Sequence, residues 1–553
     1  MEVQRCFQWV TWSLKMGEET DDCTKGGDGL YSTLEFQPTE RMDLMTDVKH
    51  TMRDSAAARW TALGIVAFTM FTGYLFTEIL SPLKPYVETQ LGWTPADFGA
   101  VTGGYGLFNV FFGALIIVGI ALDRFGVRIS TILSASIMVI GASLKYYALT
   151  PGLIAGGFGY GFAEILAVPL QGLMNGINQL LSFGSEFKAL TITPPVALAL
   201  FGYAFFGIGV EYAGITVSKV IVKWFKGKEM ALAMGMQVAL ARLGSFAGLF
   251  GAPFIVESFS ITTPFAIGVL LLSIGLMSFF VYNVMDKKLD AQDASNSDGT
   301  EEKFTMKDVV TIITNRGFWY IAILCVLFYS AVFPFYKFGP DLMVNKFGVP
   351  DKWAGLVPSL VPFGTIFLTP LFGSYYDRKG KGASIMIFGA LLLIAVHVIL
   401  YLPFVTNVYV AAVDVVVLGI AFSLVPSAMW PSVPKLLPEK QIGTAYALIF
   451  WIQNWGLMFI PMILGIVLQK SNAALVAQME TLRAGFVAQG LTNPEIAEKM
   501  NALKATGEVG VYDYSTTWLI FVGLTVLALV FAFLLKAEDK KKGYGLEQPN
   551  IQS

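Results

Sequence analysis

Two ionisable side chains, Glu211 and Arg242, lie inside apolar stretches of the sequence, where charges are unusual. The stretches are joined by a short basic turn, with Glu211 13 residues before Trp224 and Arg242 14 residues after Lys228. If both stretches are helices of one antiparallel membrane hairpin, each charge lies roughly 20 Å from the same membrane face. A charge at the bilayer centre costs about 2.5–3.5 kcal/mol on insertion scales, so such residues are candidates for function. We therefore predict that the two charges share a depth near the midplane.

The composition is that of a chain that crosses a membrane many times. Hydrophobic residues make up 55% of the sequence, charged residues only 14%, and the mean hydropathy is +0.62. The apolar runs predict an all-α membrane protein with twelve transmembrane helices in two pseudo-symmetric halves. The predicted segments are an N-terminal tail (1–59), a first six-helix half (60–285) with an outer insertion (151–195), a linker (286–315), a second half (316–537) with an outer insertion (470–513), and a C-terminal tail (538–553).

The basic residues predict the orientation, because cytoplasmic loops carry an excess of lysine and arginine. One set of loops holds Lys223, Lys226 and Lys228 together with similar clusters later in the chain, whereas the opposite loops hold few basic residues. We expect both tails and the linker to be cytoplasmic. The long outer loops lack glycosylation acceptors, which favours a bacterial inner membrane, with a lysosomal membrane as the alternative.

A short motif occurs once in each predicted half, after the second and the eighth helix. Both copies share G-x-x-x-D-R-x-G with a basic residue within the next two positions, a pattern that resembles the signature loop of the major facilitator superfamily. Its glycines allow close helix approach, and its charged residues could form charge-assisted bonds across a gate. Orientation by positive charge together with helix capping is the alternative role. The motif residues are Gly119, Asp123, Arg124, Gly126 and Arg128 in the first copy, and Gly373, Asp377, Arg378 and Gly380 in the second.

The resemblance implies a substrate site near the midplane between the halves, which would rock to alternate access. The sequence has no Walker A motif, no Ser/His/Asp set and no metal-ligand cluster, so we predict neither an enzyme nor a bound cofactor. We expect contact with membrane lipid, no nucleic-acid partner, and function as a monomer. Whether an accessory protein binds to the outer insertions is left open by the sequence.

Several segments resemble, more narrowly, the lysosomal dipeptide uniporter branch of that superfamily. The similarity covers most of the predicted helices but neither the N-terminal tail nor the two outer insertions. The segments include Trp224–Glu229, Ala241–Ser245, Phe333–Phe335, Trp430–Pro431, Gly443–Tyr446 and Gln453–Asn454.

This resemblance implies a carrier of dipeptides that works by facilitated uniport. The residues suit that cargo, since a dipeptide is a zwitterion: Glu211 can accept from its ammonium group, and Arg242 can bind its carboxylate with two hydrogen bonds. The alternative is a structural ion pair between Glu211 and Arg242 that only locks the first half. The rival functions are a carrier of small organic anions, possibly coupled to protons, and a receptor or scaffold that does not transport.

The second half offers four polar or aromatic candidates for the cavity, namely Tyr329, Trp430, Gln453 and Asn454. The adjacent amides of Gln453 and Asn454 need partners inside an apolar run. Asp414, also inside an apolar run, is a candidate for proton coupling. We interpret Glu78 as a solvated carboxylate at a membrane edge.

Overall fold

The computed structural model describes residues 52–182, 188–293, 306–438 and 441–550. Within those ranges the chain forms helices and turns and contains no strand, which confirms the all-α fold class. Most of the predicted N-terminal tail, part of the linker, and Glu439 and Lys440 lie outside the described residues.

The first half contains eight described α-helices of five residues or more, one of which is interrupted at a glycine of the repeated motif. These helices are α1 (Ala56–Glu78), α2 (Pro95–Gly103), α3 (Leu107–Phe111), α4 (Ala114–Ala148, interrupted at Gly126, whose φ of 71° and ψ of 174° are not helical), α5 (Tyr160–Leu180), α6 (Pro194–Trp224), α7 (Met230–Ser258) and α8 (Thr263–Asp293).

The second half repeats this arrangement and adds two short polar helices between its last two long ones. Its helices are α9 (Met306–Thr314), α10 (Arg316–Phe347), α11 (Leu356–Lys379), α12 (Gly382–Tyr401), α13 (Val408–Leu436), α14 (Ile442–Ser471), α15 (Ala473–Ala488), α16 (Asn493–Thr506) and α17 (Ser515–Lys542).

Eleven helical segments of the described residues are long and apolar enough to cross a membrane. The segment absent from this set is the second predicted run, which is broken into α2, a tight turn at Gly104–Gly106, α3 and the start of α4. Gly113, between α3 and α4, has a φ of 56°, which a residue with a side chain rarely adopts. The run of glycines thus replaces one continuous helix by a segmented one.

Glycines also explain how the segmented helix packs against α14 of the other half. A Cβ atom on Gly99 would lie 2.5 Å from the carbonyl oxygen of Pro461, and one on Gly106 would lie 2.9 Å from that of Asn454. Small residues allow two membrane helices to approach this closely, where packing rather than water exclusion drives association. The second contact between the halves joins α7 to α11.

The two ends of the helix bundle carry different features, and we call them the cap end and the motif end. The cap end holds α15 and α16, which lie in the second predicted insertion; Arg483 of α15 donates a 2.7 Å bond to the carbonyl oxygen of Thr89. The motif end holds Gly126 and Gly380, whose φ values of 71° and 67° mark the two copies of the repeated motif. The described part of the first predicted insertion contains a short helix at Pro151–Ile154 and the longer α5, which packs on α6.

Candidate functional site

A cavity of about 220 Å³ lies between the two halves, lined by residues of α1, α2, α6 and α7 on one side and α10, α13 and α14 on the other. The structure brings five of the six predicted binding residues to its wall: Glu211, Arg242, Tyr329, Trp430 and Gln453. These residues come from five helices and span more than 240 positions of sequence. The cavity is therefore a product of both halves.

Glu211 is held by the turn that interrupts the second predicted helix. Tyr105, in that turn, donates a 2.9 Å hydrogen bond to Oε1 of Glu211. Gly207 lies one helical turn before Glu211, and a Cβ atom there would collide with the carbonyl oxygen of Tyr105. The missing side chain at Gly207 thus lets the turn approach α6 and place its hydroxyl group on the carboxylate.

Arg242 reaches from α7 of the first half to α13 of the second. Its Cζ lies 5.0 Å from the centre of the Phe422 ring, a favourable arrangement of a cation over an aromatic face. Its Nη1 is buried and has no hydrogen-bond partner among the described residues. No ion pair joins Glu211 to Arg242, both of which the structure describes. In this conformation the acid and the base are separately held.

The aromatic candidates of the second half bind to each other in the cavity wall. Trp430 Nε1 donates a 3.0 Å bond to the hydroxyl oxygen of Tyr329, and the Trp430 ring stacks on Phe450 with centres 4.8 Å apart. Gln453 accepts a 3.6 Å bond from the thiol of Cys325 through its amide oxygen. That bond leaves the amide nitrogen of Gln453 as a donor toward the cavity.

Asn454 lies behind the wall and not on it, so its place differs from the one predicted. Its side chain is buried between α3 and α14, where Oδ1 accepts a 3.2 Å bond from Asn109 and Nδ2 donates to the carbonyl oxygen of Phe450. Adjacent residues of a helix point about 100° apart, and of these two only Gln453 lines the cavity. The amide of Asn454 finds its partners at the contact between the halves.

An ion pair that the sequence interpretation missed also lines the cavity. Lys337 of α10 lies 2.8 Å from Glu78 of α1, and the same ammonium donates a 3.0 Å bond to the carbonyl oxygen of Thr77. The interpretation of Glu78 as a solvated carboxylate is wrong, because the residue is only 2% exposed. Lys337 lies inside an apolar run, so the reasoning applied to Glu211 would have singled it out.

The halves are joined at the cap end by a second buried charge cluster. Lys84 forms ion pairs with Glu88 at 2.7 Å and with Asp341 of the opposite half at 2.8 Å. Tyr512 and Tyr514, which follow the α15–α16 cap, donate hydrogen bonds to Glu88 and Asp341 respectively. All five groups are buried, so this cluster closes the cap end over the cavity.

The first copy of the repeated motif bonds within its own half and the second copy bonds to the C-terminal tail, whereas the sequence suggested bonds across a gate. Asp123 pairs with Lys219 of α6, and Arg128 lies 3.3 Å from Asp290 of α8. In the second copy, Asp377 accepts a 2.8 Å bond from Asn550. The remaining motif residues, namely Gly119, Arg124, Gly126, Gly373, Arg378 and Gly380, lie at the same end of the molecule.

Two other polar residues of the apolar runs lie away from the cavity wall. Asp414 is 4% exposed, and its Oδ2 is buried without a hydrogen-bond partner among the described residues. His397 bonds to the carbonyl oxygen of Ala331 at 3.0 Å and stacks on Phe521, which fits a packing role. Within the described ranges no group of three or more His, Cys, Asp or Glu residues could hold a metal ion.

Comparison with known proteins finds similarity to membrane transporters. The sequence profile of the Major Facilitator Superfamily matches residues 176–461. The lysosomal dipeptide transporter MFSD1 of Gallus gallus is 31% identical over 277 residues, which cover 48% of this chain and 61% of that protein. The same transporter of Homo sapiens is 30% identical over 280 residues, covering 49% and 59%. The match therefore spans about three-fifths of the length of these relatives.

Two solved structures show the same fold at low sequence identity. A mutant of the nucleoside transporter NupG superposes with a TM-score of 0.58 at 14% identity, covering 86% of this chain and 99% of that one. A bacterial homologue of the human lysosomal transporter Spinster, in an inward-facing and occupied conformation, has a TM-score of 0.57 at 13% identity, covering 88% and 98%. At these identities the likeness concerns the fold alone.

Proposed function

We propose that this chain, which belongs to the Major Facilitator Superfamily, is a secondary transporter that moves dipeptides across a membrane by alternating access, as a uniporter. The observation that carries the proposal is the pair of opposite charges, Glu211 and Arg242, that line one cavity between the halves without binding each other. The printed function of the MFSD1 relatives, dipeptide transport, supports the same cargo.

A dipeptide can join two opposite charges that do not pair with each other. Two extended residues span about 7 Å, so the ammonium and carboxylate groups of one molecule can reach an acid and a base that are too far apart to pair. Glu211 receives the ammonium group beside its bond from Tyr105, and the unpartnered Nη1 of Arg242 receives the carboxylate. Recognition through the termini reads the side chains loosely, so the transporter accepts many dipeptides.

Alternating access is supported by where the halves hold together. The buried cluster of Lys84, Glu88 and Asp341 lies at the cap end, and the ion pair of Glu78 and Lys337 joins the halves in the cavity wall. Opening the cap end requires both sets of bonds to break while the motif end closes. The zwitterion brings no net charge to Glu211 and Arg242, so binding calls for no coupled ion.

A thermal-shift screen of the purified chain against dipeptides, free amino acids and monocarboxylates tests the cargo. We expect dipeptides to stabilise the protein and the other two classes to have little effect, because only a dipeptide has termini far enough apart to reach both charges. Counterflow of a labelled dipeptide in liposomes then tests transport. Stabilisation by dipeptides without flux would support a receptor in place of a transporter.

A carrier of small organic anions is the second candidate, because Arg242 and Lys337 both present cations to the cavity. Monocarboxylates that exchange in counterflow while neutral dipeptides do not would favour this function. A flux that follows an imposed pH gradient would replace uniport by proton coupling.

We further propose that the motif end and both tails face the cytoplasm, because the basic loops cluster there. A bacterial inner membrane remains the predicted location, and a lysosomal membrane is the alternative that the relatives support. Labelling of Phe404→Cys, in a chain whose Cys6, Cys23 and Cys325 are replaced by serine, by an impermeant reagent added to either side of sealed membranes tests the orientation.

A further inference from the structure

We propose that the ion pair of Glu78 and Lys337 is a subsite for the charged side chain of a dipeptide, and that it accepts side chains of either sign. This inference rests on the proposed function, since it concerns the same cavity. The two residues line the cavity wall together with Glu211 and Arg242, yet they belong to different helices, α1 and α10.

The hydrogen bonds of the pair leave one unused donor on the ammonium group and one unused acceptor on the carboxylate. The ammonium group of Lys337 has three N–H donors, of which one binds Glu78 Oε2 and one binds the carbonyl oxygen of Thr77. Oε2 of Glu78 also accepts a 2.7 Å bond from Ser81, while Oε1 makes no hydrogen bond with the described residues. A ligand in the cavity could therefore meet one ammonium proton and one carboxylate oxygen.

The position of the pair suits a side chain better than a terminus. Tyr203 of α6 donates to the carbonyl oxygen of Thr77, which also binds Lys337, so the pair lies at the level of Tyr203. Tyr203 precedes Glu211 by eight residues, so their Cα atoms lie about 12 Å apart along α6 and the pair lies on the cap side of Glu211. A dipeptide held by its termini at Glu211 and Arg242 reaches that level only with a long side chain.

Electrostatics explains why a preformed pair can accept both signs. A charged side chain that leaves water needs a counter-charge, and the pair supplies one without breaking. An acidic side chain joins the free N–H of Lys337, a basic one joins Oε1 of Glu78, and a neutral side chain leaves a neutral pair beside it. The pair thus broadens the range of dipeptides and does not restrict it.

The experiment compares three dipeptides, Ala-Ala, Ala-Glu and Ala-Lys, on the wild-type chain and on the double variant Glu78→Gln/Lys337→Gln. In the double variant we expect the Kd for Ala-Glu and Ala-Lys to rise roughly tenfold, as for a lost hydrogen bond to a charged group. The Kd for Ala-Ala should stay within about twofold. Glu78→Gln alone should weaken mainly Ala-Lys, and Lys337→Gln alone mainly Ala-Glu. Arg242→Ala, the matched control, should weaken all three.

Isosteric ligands make the same test on the wild-type chain, without any variant that has to fold. Ala-Glu should bind roughly tenfold more tightly than Ala-Gln, and Ala-Lys more tightly than alanyl-norleucine, because only the charged member of each pair joins the subsite. Equal affinities within both ligand pairs, or equal losses of affinity for all three dipeptides in the double variant, would overturn the subsite. Glu78 and Lys337 would then serve only to hold the two halves together. A wild-type chain that binds none of the dipeptides would overturn the proposed function as well.

Discussion

Arg242 is half-buried, stacked on Phe422 and short of one hydrogen-bond partner, whereas a structural arginine in a membrane helix normally has its donors satisfied. Glu211, by contrast, has the Tyr105 hydroxyl group as a fixed donor. The two charged groups therefore differ: Arg242 has a donor without a partner, and Glu211 has a neighbouring hydroxyl group that orients its carboxylate. This difference leads to two predictions at the scale of single residues.

Replacement of Arg242 by alanine should abolish thermal stabilisation by dipeptides while the protein remains folded. The reason is that Arg242 makes no ion pair with Glu211 whose loss would leave a buried partner charge. Arg242→Lys keeps the charge but not the planar fork, so it should retain only weak binding. Wild-type stabilisation by dipeptides in Arg242→Ala would refute the role of this residue.

Replacement of Tyr105 by phenylalanine should raise the Kd for dipeptides roughly tenfold, because it removes a hydrogen bond to a charged group that orients the Glu211 carboxylate. Isothermal titration at constant pH measures the change. Tyr147→Phe is the matched control, since that hydroxyl group bonds to the carbonyl oxygen of Phe158 far from the cavity. An unchanged Kd in Tyr105→Phe would show that the bond does not contribute to binding.

At the scale of elements, the broken second helix does two things at once. Its turn at Gly104–Gly106 presents Tyr105 to the cavity, and its glycines let α2 lie directly against α14. A continuous helix with ordinary side chains could do neither, because its backbone would be held further from both neighbours. The contact between α2 and α14 is therefore where a small added group should affect the closed cap end most.

Replacement of Gly99 by alanine should slow dipeptide counterflow at least roughly tenfold, because its Cβ atom would lie 2.5 Å from the carbonyl oxygen of Pro461 and 2.9 Å from Gly465 Cα. The matched control is Gly64→Ala on α1, where a Cβ atom meets nothing within 4 Å and helix propensity rises. Equal transport rates for the two variants would argue that the α2–α14 contact does not limit transport.

At the scale of the whole molecule, the two halves are joined by buried charges at the cap end, whereas Asp123 and Arg128 of the first motif copy bind within their own half at the motif end. Removal of one partner from a buried ion pair is strongly unfavourable, by about 3–5 kcal/mol, because the other charge is left without compensation. The cluster of Lys84, Glu88 and Asp341 should therefore set the balance between conformations closed and open at the cap end.

Replacement of Lys84 by glutamine should shift the protein toward conformations that are open at the cap end. Spin labels at Phe259→Cys and Phe404→Cys, exposed positions at the cap end of opposite halves, report the change as a longer distance in pulsed dipolar spectroscopy. The control is Lys219→Gln, which removes only a solvent-exposed pair with Asp123. A distance distribution in Lys84→Gln identical to that of the control would show that the Lys84 cluster does not hold the cap end closed.

Much of the fold could be predicted from the chain alone, because the physics involved is local. Apolar runs of membrane-spanning length predict helices, and a buried charge such as Glu211 or Arg242 stands out against them. The repeated G-x-x-x-D-R-x-G motif identifies the halves, since it recurs at matching places in each. These inferences need only the composition and spacing of neighbouring residues.

Only the tertiary structure decided which polar residues share the cavity. Glu78 and Lys337 are separated by 259 positions, and nothing local to either one indicates the other. Membrane helices are apolar on every face, so hydrophobic periodicity does not show that Gln453 faces the cavity while Asn454 faces Asn109. The break at Gly104–Gly106 likewise makes sense only once α14 and Glu211 lie beside it, because a glycine's role depends on what approaches it.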